Sequence, residues 1–98
     1  MPNSNYIRGR AYEYETKAKW ESQGYSVLRT AGSHGEWDLV AYCPRRGCTL
    51  VQCKLLAEPA LCKQLVLEFT RSHTPTSKYH QCLEYRVKGS SEAYQVFV

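Results

Sequence analysis

One apolar run constrains the fold of this chain more than any other stretch. It extends from Cys48 to Leu56 with few polar interruptions, a pattern typical of a central strand buried on both faces. A shorter apolar run, Trp37 to Tyr42, precedes it, and the turn-forming Pro44-Arg-Arg-Gly47 separates the two. The pair predicts a hairpin inside a sheet. Ninety-eight residues allow one small core around it, so we expect a single domain over residues 1–98.

The rest of the chain alternates between helical and extended patterns. Apolar residues at Ile7, Ala11, Tyr14 and Ala18 share one helical face, which we expect to pack on the sheet. A second helix carries a stripe at Leu61, Leu65 and Phe69. The predicted elements are a helix at 4–23, strands at 25–30, 37–42 and 48–56, a helix at 60–72, and strands at 80–88 and 93–98. Their order is α-β-β-β-α-β-β.

Composition limits the classes of protein to which this chain can belong. No apolar run approaches the ~20 residues that a membrane-spanning helix needs, and the N-terminus is polar, so we expect no membrane association and a cytoplasmic location. The five cysteines are odd in number and lie mostly within apolar patterns. Buried thiols therefore explain them better than disulfides or a zinc site. A net charge of +4 is compatible with a polyanionic partner.

Asp38, the only aspartate, opens the first strand of the hairpin. Side chains alternate along a strand, so Gln52 and Lys54 share one face of the second strand. If the hairpin closes, Asp38 lies beside them and could hold Mg²⁺ or Mn²⁺ together with the Gln52 amide. Lys54 could then orient a water or offset charge on a phosphate. The alternative is an ordinary turn aspartate beside a polar strand rim.

Glu13 is a further candidate ligand on the first helix. It lies off the predicted stripe, on the flank shared with Gly9 and Trp20. A glycine inside a helix costs ~1 kcal/mol relative to alanine, which suggests that something approaches Gly9 closely. The alternative is a solvated Glu13 paired with Lys17, and spacing alone favours that reading. Glu15 and Lys19 have the same favourable spacing.

These residues resemble the archaeal-type Holliday junction resolvases, a branch of the PD-(D/E)xK nuclease superfamily. The resemblance runs from Gly9 to Lys54 and is carried by Gly9-x-x-x-Glu13, Arg29-x-Ala-Gly-Ser33, Asp38-Leu-Val-Ala41 and the strand ending in Lys54. It implies an α/β, restriction-endonuclease-like fold with a central mixed β-sheet flanked by helices. It also implies a homodimer that acts on four-way or other branched DNA.

The resemblance assigns roles to six residues. It implies a metal centre of Glu13, Asp38 and Gln52, with Lys54 as the motif lysine, and it links Arg29 and Ser33 to cleavage or to the substrate phosphate. Gln52 is a departure, since the family usually has glutamate there. The change removes one negative charge, so we expect weaker metal binding, and catalysis itself is in question.

The expected function is therefore a Mg²⁺-dependent endodeoxyribonuclease that resolves four-way junctions by paired incisions in opposite strands. Three alternatives stay open: a nuclease of this fold acting on other branched or duplex DNA, a non-cleaving junction-binding protein, and a small zinc-binding module. We expect the loop that carries Arg29, Ser33 and His34 to be mobile in the free protein. Candidate phosphate contacts are Arg8, Arg10, Arg45, Arg46 and Lys63.

Overall fold

In the computed structural model, residues 4–30 and 36–98 are described, with the helix backbone alone for residues 4–7. The predicted order of elements is confirmed, and most of the element ends differ by one or two residues. The helices are α1 (Ser4–Ser22) and α2 (Cys62–Ser72), the latter entered through a 3-10 turn at Pro59–Leu61. The strands are β1 (Ser26–Arg29), β2 (Leu39–Cys43), β3 (Gly47–Leu56), β4 (His80–Val87) and β5 (Ala93–Phe97).

The five strands form one mixed sheet in the order β1-β2-β3-β4-β5. The pair β3 and β4 is parallel, and the other neighbouring pairs are antiparallel. Parallel neighbours require a crossover, and α2 supplies it between β3 and β4. The β2–β3 turn closes with Arg46 N–H donating to the Cys43 carbonyl at 3.1 Å, and Gly47 adopts a φ of +79°. The long apolar run is thus the central strand, as predicted.

Helix α1 packs on the sheet through a different face from the one predicted. The buried residues are Tyr12, Thr16 and Trp20, spaced four apart. Two of them carry large rings that bury more apolar surface than alanine, and the Thr16 hydroxyl donates to the Tyr12 carbonyl at 2.9 Å. The predicted stripe is wrong, because its members with described side chains are exposed: Ala11, Tyr14 and Ala18.

A buried carboxylate fastens α1 to the sheet. Glu84 on β4 is fully buried and accepts hydrogen bonds from Trp20 Nε1 at 2.9 Å, Lys19 Nζ at 3.3 Å and Gln95 Nε2. Trp20 also meets Tyr25 edge to face, with ring centroids 4.8 Å apart. The apolar core continues beside this contact through side chains of β1 to β4, namely Val27, Leu39, Ala41, Val51 and Cys82.

The predicted pair of Glu15 with Lys19 is also wrong. Lys19 reaches Glu84, and Glu15 accepts from Arg86 Nη1 at 2.8 Å. Both partners lie on β4. Two helix charges whose spacing would let them pair with each other therefore pair with residues of the sheet instead.

Helix α2 contacts the segment that leads into β2. Phe69 is the buried residue of this helix, whereas Leu61 is 40% exposed. The Phe69 ring contacts Trp37 and His73. His73 joins the end of α2 to the start of β2, with Nδ1 2.7 Å from the Phe69 carbonyl and Nε2 2.9 Å from Glu36 Oε1. The contact with Glu36 is an ion pair when the imidazole is protonated.

All five cysteines are free thiols. Cys82 is buried and the other four are half-buried, which is close to the prediction of small apolar residues. Cys43 pairs with Gly47 and Cys48 with Tyr42, so the two hairpin thiols are not opposite each other. In the part of the chain that the structure describes, no helix is long and apolar enough to cross a membrane.

Replacing Glu84 by alanine should destabilise the protein strongly. The change leaves the buried Trp20 N–H without its acceptor and removes the partner of Lys19 and Gln95, which corresponds to a loss of about 1–3 kcal/mol. Urea unfolding followed by tryptophan fluorescence measures the change. Glu92→Ala is the control, because Glu92 is exposed and its side chain bonds only the Tyr94 hydroxyl among described residues. It should stay within about 0.5 kcal/mol of wild type. Equal losses in the two variants would contradict the role given to Glu84.

Candidate active site

Asp38 is held firmly at the point where β2 begins. Its backbone N–H donates to the Val51 carbonyl at 2.8 Å, and its own carbonyl accepts from Thr30 N–H at 3.0 Å. Its carboxylate accepts through Oδ2 from the backbone N–H of Cys53 at 2.8 Å. Because Leu39 pairs with Val51, the register places Asp38 across from Gln52. The predicted closure of the hairpin beside Asp38 is therefore observed.

The Asp38 carboxylate has too little positive charge and hydrogen bonding around it to offset the cost of its burial. Burial raises its pKa, while the Cys53 hydrogen bond and the positive charges of Lys54 and Arg29 act to lower it. Burial is the largest of these effects, so the net shift is upward. A group of this kind gains from a further positive charge nearby.

Gln52 and Lys54 lie on the sheet face away from α1. Val51 packs in the core under α1, and alternation along β3 turns its neighbour Gln52 to the other side. Gln52 is half-buried and Lys54 is exposed. The charge of Lys54 acts on Asp38. The structure thus brings Lys54 close to Asp38 and places Gln52 opposite it through strand register.

Glu13 approaches the same end of the sheet from α1. Its Oε1 accepts from Arg29 Nε at 2.9 Å, with both side chains mostly buried. The expected pairing with Lys17 is wrong, because Lys17 pairs with Glu21 at 2.9 Å. Arg29 sits at the end of β1, under the flank of the helix, where it also stacks on the Tyr14 ring at 5.0 Å. Arg29 therefore acts on two carboxylates, Glu13 and Asp38.

Part of the predicted site falls outside the described residues. Ser33 and His34 lie in the segment 31–35, as does the loop predicted to be mobile. Sequence reasoning also missed two features that the structure supplies. The Cys53 N–H that fixes Asp38 is a backbone group, which any residue would provide. Tyr14, which the apolar stripe places in the core, is exposed beside Glu13 and contacts Arg29.

The available donors suit a hard cation better than a soft one. Among residues 4–30 and 36–98, no three His, Cys, Asp or Glu side chains gather to hold a metal. What remains is the fixed Asp38 carboxylate, the Gln52 amide and the Glu13 carboxylate, all oxygen ligands of the type Mg²⁺ prefers. Glu13 is paired with Arg29, and Gln52 is neutral. By their chemistry these donors would suit a divalent cation, which they would hold weakly.

No family model matches the chain, and no curated protein matches it. Among solved structures, the Holliday junction resolvase Hjc of the archaeal hyperthermophile Archaeoglobus fulgidus is similar. The TM-score is 0.58 at 17% sequence identity, and the match covers 92% of this chain and 70% of that one.

The chain has the fold of an archaeal Holliday junction resolvase. The fold inferred from the motifs is thereby confirmed, with its mixed five-stranded sheet flanked by helices. Within this resolvase fold, Asp38, Lys54, Arg29 and Glu13 lie around one end of the β1–β2–β3 part of the sheet.

Asp38→Asn should stabilise the metal-free protein at neutral pH. A pKa raised in the folded state means that the protonated form favours folding, and this contribution is lost as the pH rises through the folded pKa. Asparagine stays neutral and can still accept from Cys53 N–H. We expect the Tm to rise by a few degrees at pH 7 in EDTA, with the difference from wild type vanishing at acid pH.

The opposite pH dependence would show that burial does not dominate at Asp38. Glu58→Gln is a suitable control, because Glu58 is an exposed carboxylate before the 3-10 turn and its side chain makes no capping hydrogen bond. Its Tm difference from wild type should not follow the profile of Asp38→Asn.

Proposed function

We propose that this protein is a divalent-metal-dependent, structure-selective endonuclease that resolves four-way DNA junctions by paired incisions in opposite strands. One observation carries the proposal: a half-buried carboxylate, Asp38, is fixed by Cys53 N–H beside the charges of Lys54 and Arg29. An aspartate with no ligand to bind would be more stable exposed to water than half-buried. The fold, similar to that of Archaeoglobus fulgidus Hjc, supports the choice of branched DNA as substrate.

Each residue has a defined task in this proposal. Asp38 and Gln52 would hold Mg²⁺, or Mn²⁺ in its place, with Glu13 as the third oxygen donor. A bound ion of this kind would lower the pKa of a water and supply a nucleophile at neutral pH. Lys54 would orient the attacking water or offset negative charge on the phosphate. Ser33, carried over from the family resemblance, contacts the scissile phosphate.

Arg29 has to change partners for this site to work. It now neutralises Glu13 at 2.9 Å, which keeps that carboxylate from a metal. A DNA phosphate has the charge and geometry to take the guanidinium in its place. Substrate binding would then free Glu13 at the moment when a ligand is needed, and Arg29 would remain on the phosphate.

Paired incisions also require two sites held in a fixed relation. We propose a homodimer, in which two copies present their sites to opposite strands. A DNA substrate is consistent with the expected cytoplasmic location.

A second candidate function is junction binding without cleavage. Two features favour it. Gln52 gives the site one negative charge fewer than the glutamate usual in the family would, and Arg29 forms an ion pair with Glu13. Affinity for DNA depends mainly on contacts with phosphates and would survive the loss of metal chemistry.

A cleavage assay on labelled DNA tests the proposed function. We expect symmetric paired nicks in a four-way junction with Mg²⁺ or Mn²⁺, none in EDTA, and slower cleavage of flaps, nicked duplex and linear duplex. Asp38→Asn should reduce the rate by about 100-fold or more with little change in affinity, since Asp38 holds the ion. Sedimentation in the same buffer should give a dimer.

The alternatives predict other results in this assay. Tight junction binding with no product in Mn²⁺ would establish the non-cleaving candidate. Preference for flaps or linear duplex would favour a nuclease of this fold with another substrate. Wild-type cleavage by Asp38→Asn would contradict the proposed centre.

Gln52→Glu should lower the Mg²⁺ concentration needed for half-maximal cleavage. The substitution restores a negative charge opposite Asp38, and a charged oxygen ligand attracts the cation more strongly than an amide. Titration of single-turnover rates against Mg²⁺ measures the effect. Gln64→Glu is the control, because Gln64 is an exposed glutamine on α2. If Gln52→Glu and Gln64→Glu give the wild-type curve, Gln52 is not a ligand.

A further inference from the structure

A basic cleft of about 420 Å³ opens between the N-terminal half of α1 and the ends of β3 and β4. We call it the α1 cleft and define it by Arg8, Tyr12, Glu15, Leu55, Arg86 and Lys88. Helix α1 supplies one wall, and the ends of the strands supply the other.

The α1 cleft carries an excess of positive charge. Among the described residues that line it, three are cationic, Arg8, Arg86 and Lys88, and one is acidic, Glu15, which gives these residues a net charge of +2. Arg8 and Glu15 are exposed, and Glu15 accepts from Arg86 Nη1 at 2.8 Å. This excess of positive charge favours an anionic ligand.

Arg86 is held in place before any ligand arrives. Its guanidinium lies 4.8 Å from the centroid of the Tyr12 ring while it binds Glu15. Tyr12 is 3% exposed and cannot move aside easily. A guanidinium fixed on an aromatic ring loses little conformational freedom when it binds a phosphate.

Lys88 is positioned by the backbone of the same wall. Its N–H donates to the Leu56 carbonyl at 2.9 Å, which ties the end of β4 to the end of β3. Gly89 then turns the chain with a φ of +85°. Together with the half-buried Leu55, this wall combines cations with apolar surface, as a sugar–phosphate backbone requires.

The α1 cleft and the candidate active site flank the same helix at the same end of the sheet. Tyr12 precedes Glu13 on α1, and Leu55 follows Lys54 on β3. Strands are spaced by about 4.8 Å, so β4 lies roughly 10 Å from β2 across the sheet. Gly9 lies on the part of α1 between them, and a Cβ built there would meet no described atom within 4 Å outside the helix backbone.

We propose that the α1 cleft binds a backbone phosphate of the DNA strand that is cut, a few nucleotides from the scissile phosphate. The assignment rests on the proposed function, because it names a second contact for the same substrate. Arg8 and Lys88 meet the phosphate oxygens, Arg86 reinforces them, and Glu15 limits the strength of the contact.

Salt-dependent binding of a four-way junction, measured by fluorescence anisotropy in EDTA, tests this proposal. Removing one phosphate contact should reduce the slope of log K against log salt by about 0.9. We expect that reduction for Arg8→Gln. Arg71→Gln is the matched control, an exposed arginine on α2 outside the cleft, and should keep the wild-type slope.

Glu15→Gln provides the opposite change. It releases Arg86 and removes the competing charge, so junction affinity should rise several-fold. Glu21→Gln is its control on the same helix, since Glu21 also pairs with one cation, Lys17, but lies outside the cleft. Equal gains in affinity in both variants would show that the effect comes from the overall charge of the protein, and would overturn the assignment.

The remaining outcomes separate this proposal from the proposed function. If the wild-type protein cuts junctions and Arg8→Gln binds with the wild-type slope, the cleft assignment alone fails. If the wild-type protein binds no DNA, both fail. A thermal shift with millimolar inorganic phosphate that Arg8→Gln abolishes, together with an unchanged DNA slope, would make the cleft a small-anion site and overturn the proposal.

Discussion

The position of α1 depends on the buried carboxylate of Glu84. A buried charge is costly unless it is paired and hydrogen-bonded, and Glu84 receives donors from α1 and from β5. The arrangement is satisfied only when Lys19 and Trp20 lie over β4. It therefore fixes the rotation of the helix about its own axis, which packing of rings and methyl groups would fix less sharply.

That rotation determines on which side of α1 each candidate functional side chain lies. With Tyr12, Thr16 and Trp20 facing the sheet, Glu13 falls on the β1 flank and meets Arg29. Glu15 falls on the β4 flank and meets Arg86. One helix thus separates the candidate metal site from the α1 cleft. A rotation that buried the predicted stripe instead would remove both contacts.

The candidate active site combines two carboxylates with two cations. Arg29 and Lys54 act on these carboxylates and the Cys53 N–H holds Asp38 in place, but burial still raises the Asp38 pKa. The cations thus offset only part of the cost of burying Asp38, and they also compete with metal binding. Gln52 has a similar double effect, because a neutral amide reduces repulsion near Asp38 while it lowers the attraction for a cation. The proposed exchange of Arg29 onto a phosphate would resolve this competition when substrate is present.

The sequence by itself determined the order of elements and the central place of β3. Those features depend on local patterns: an apolar run, a turn at Pro44–Gly47, a glycine after a helix. It also located Asp38, Gln52 and Lys54 on one hairpin, since strand alternation and turn length fix their relation. The tertiary structure alone decided the buried face of α1 and the partners of Glu13, Glu15 and Lys19. Helix spacing gives each charge a possible partner within α1. Glu13 and Lys19 instead meet partners on the sheet in drier surroundings, where ion pairs are stronger, and Glu15 meets Arg86. Contacts between distant segments cannot be read from spacing, because they depend on how the whole core packs.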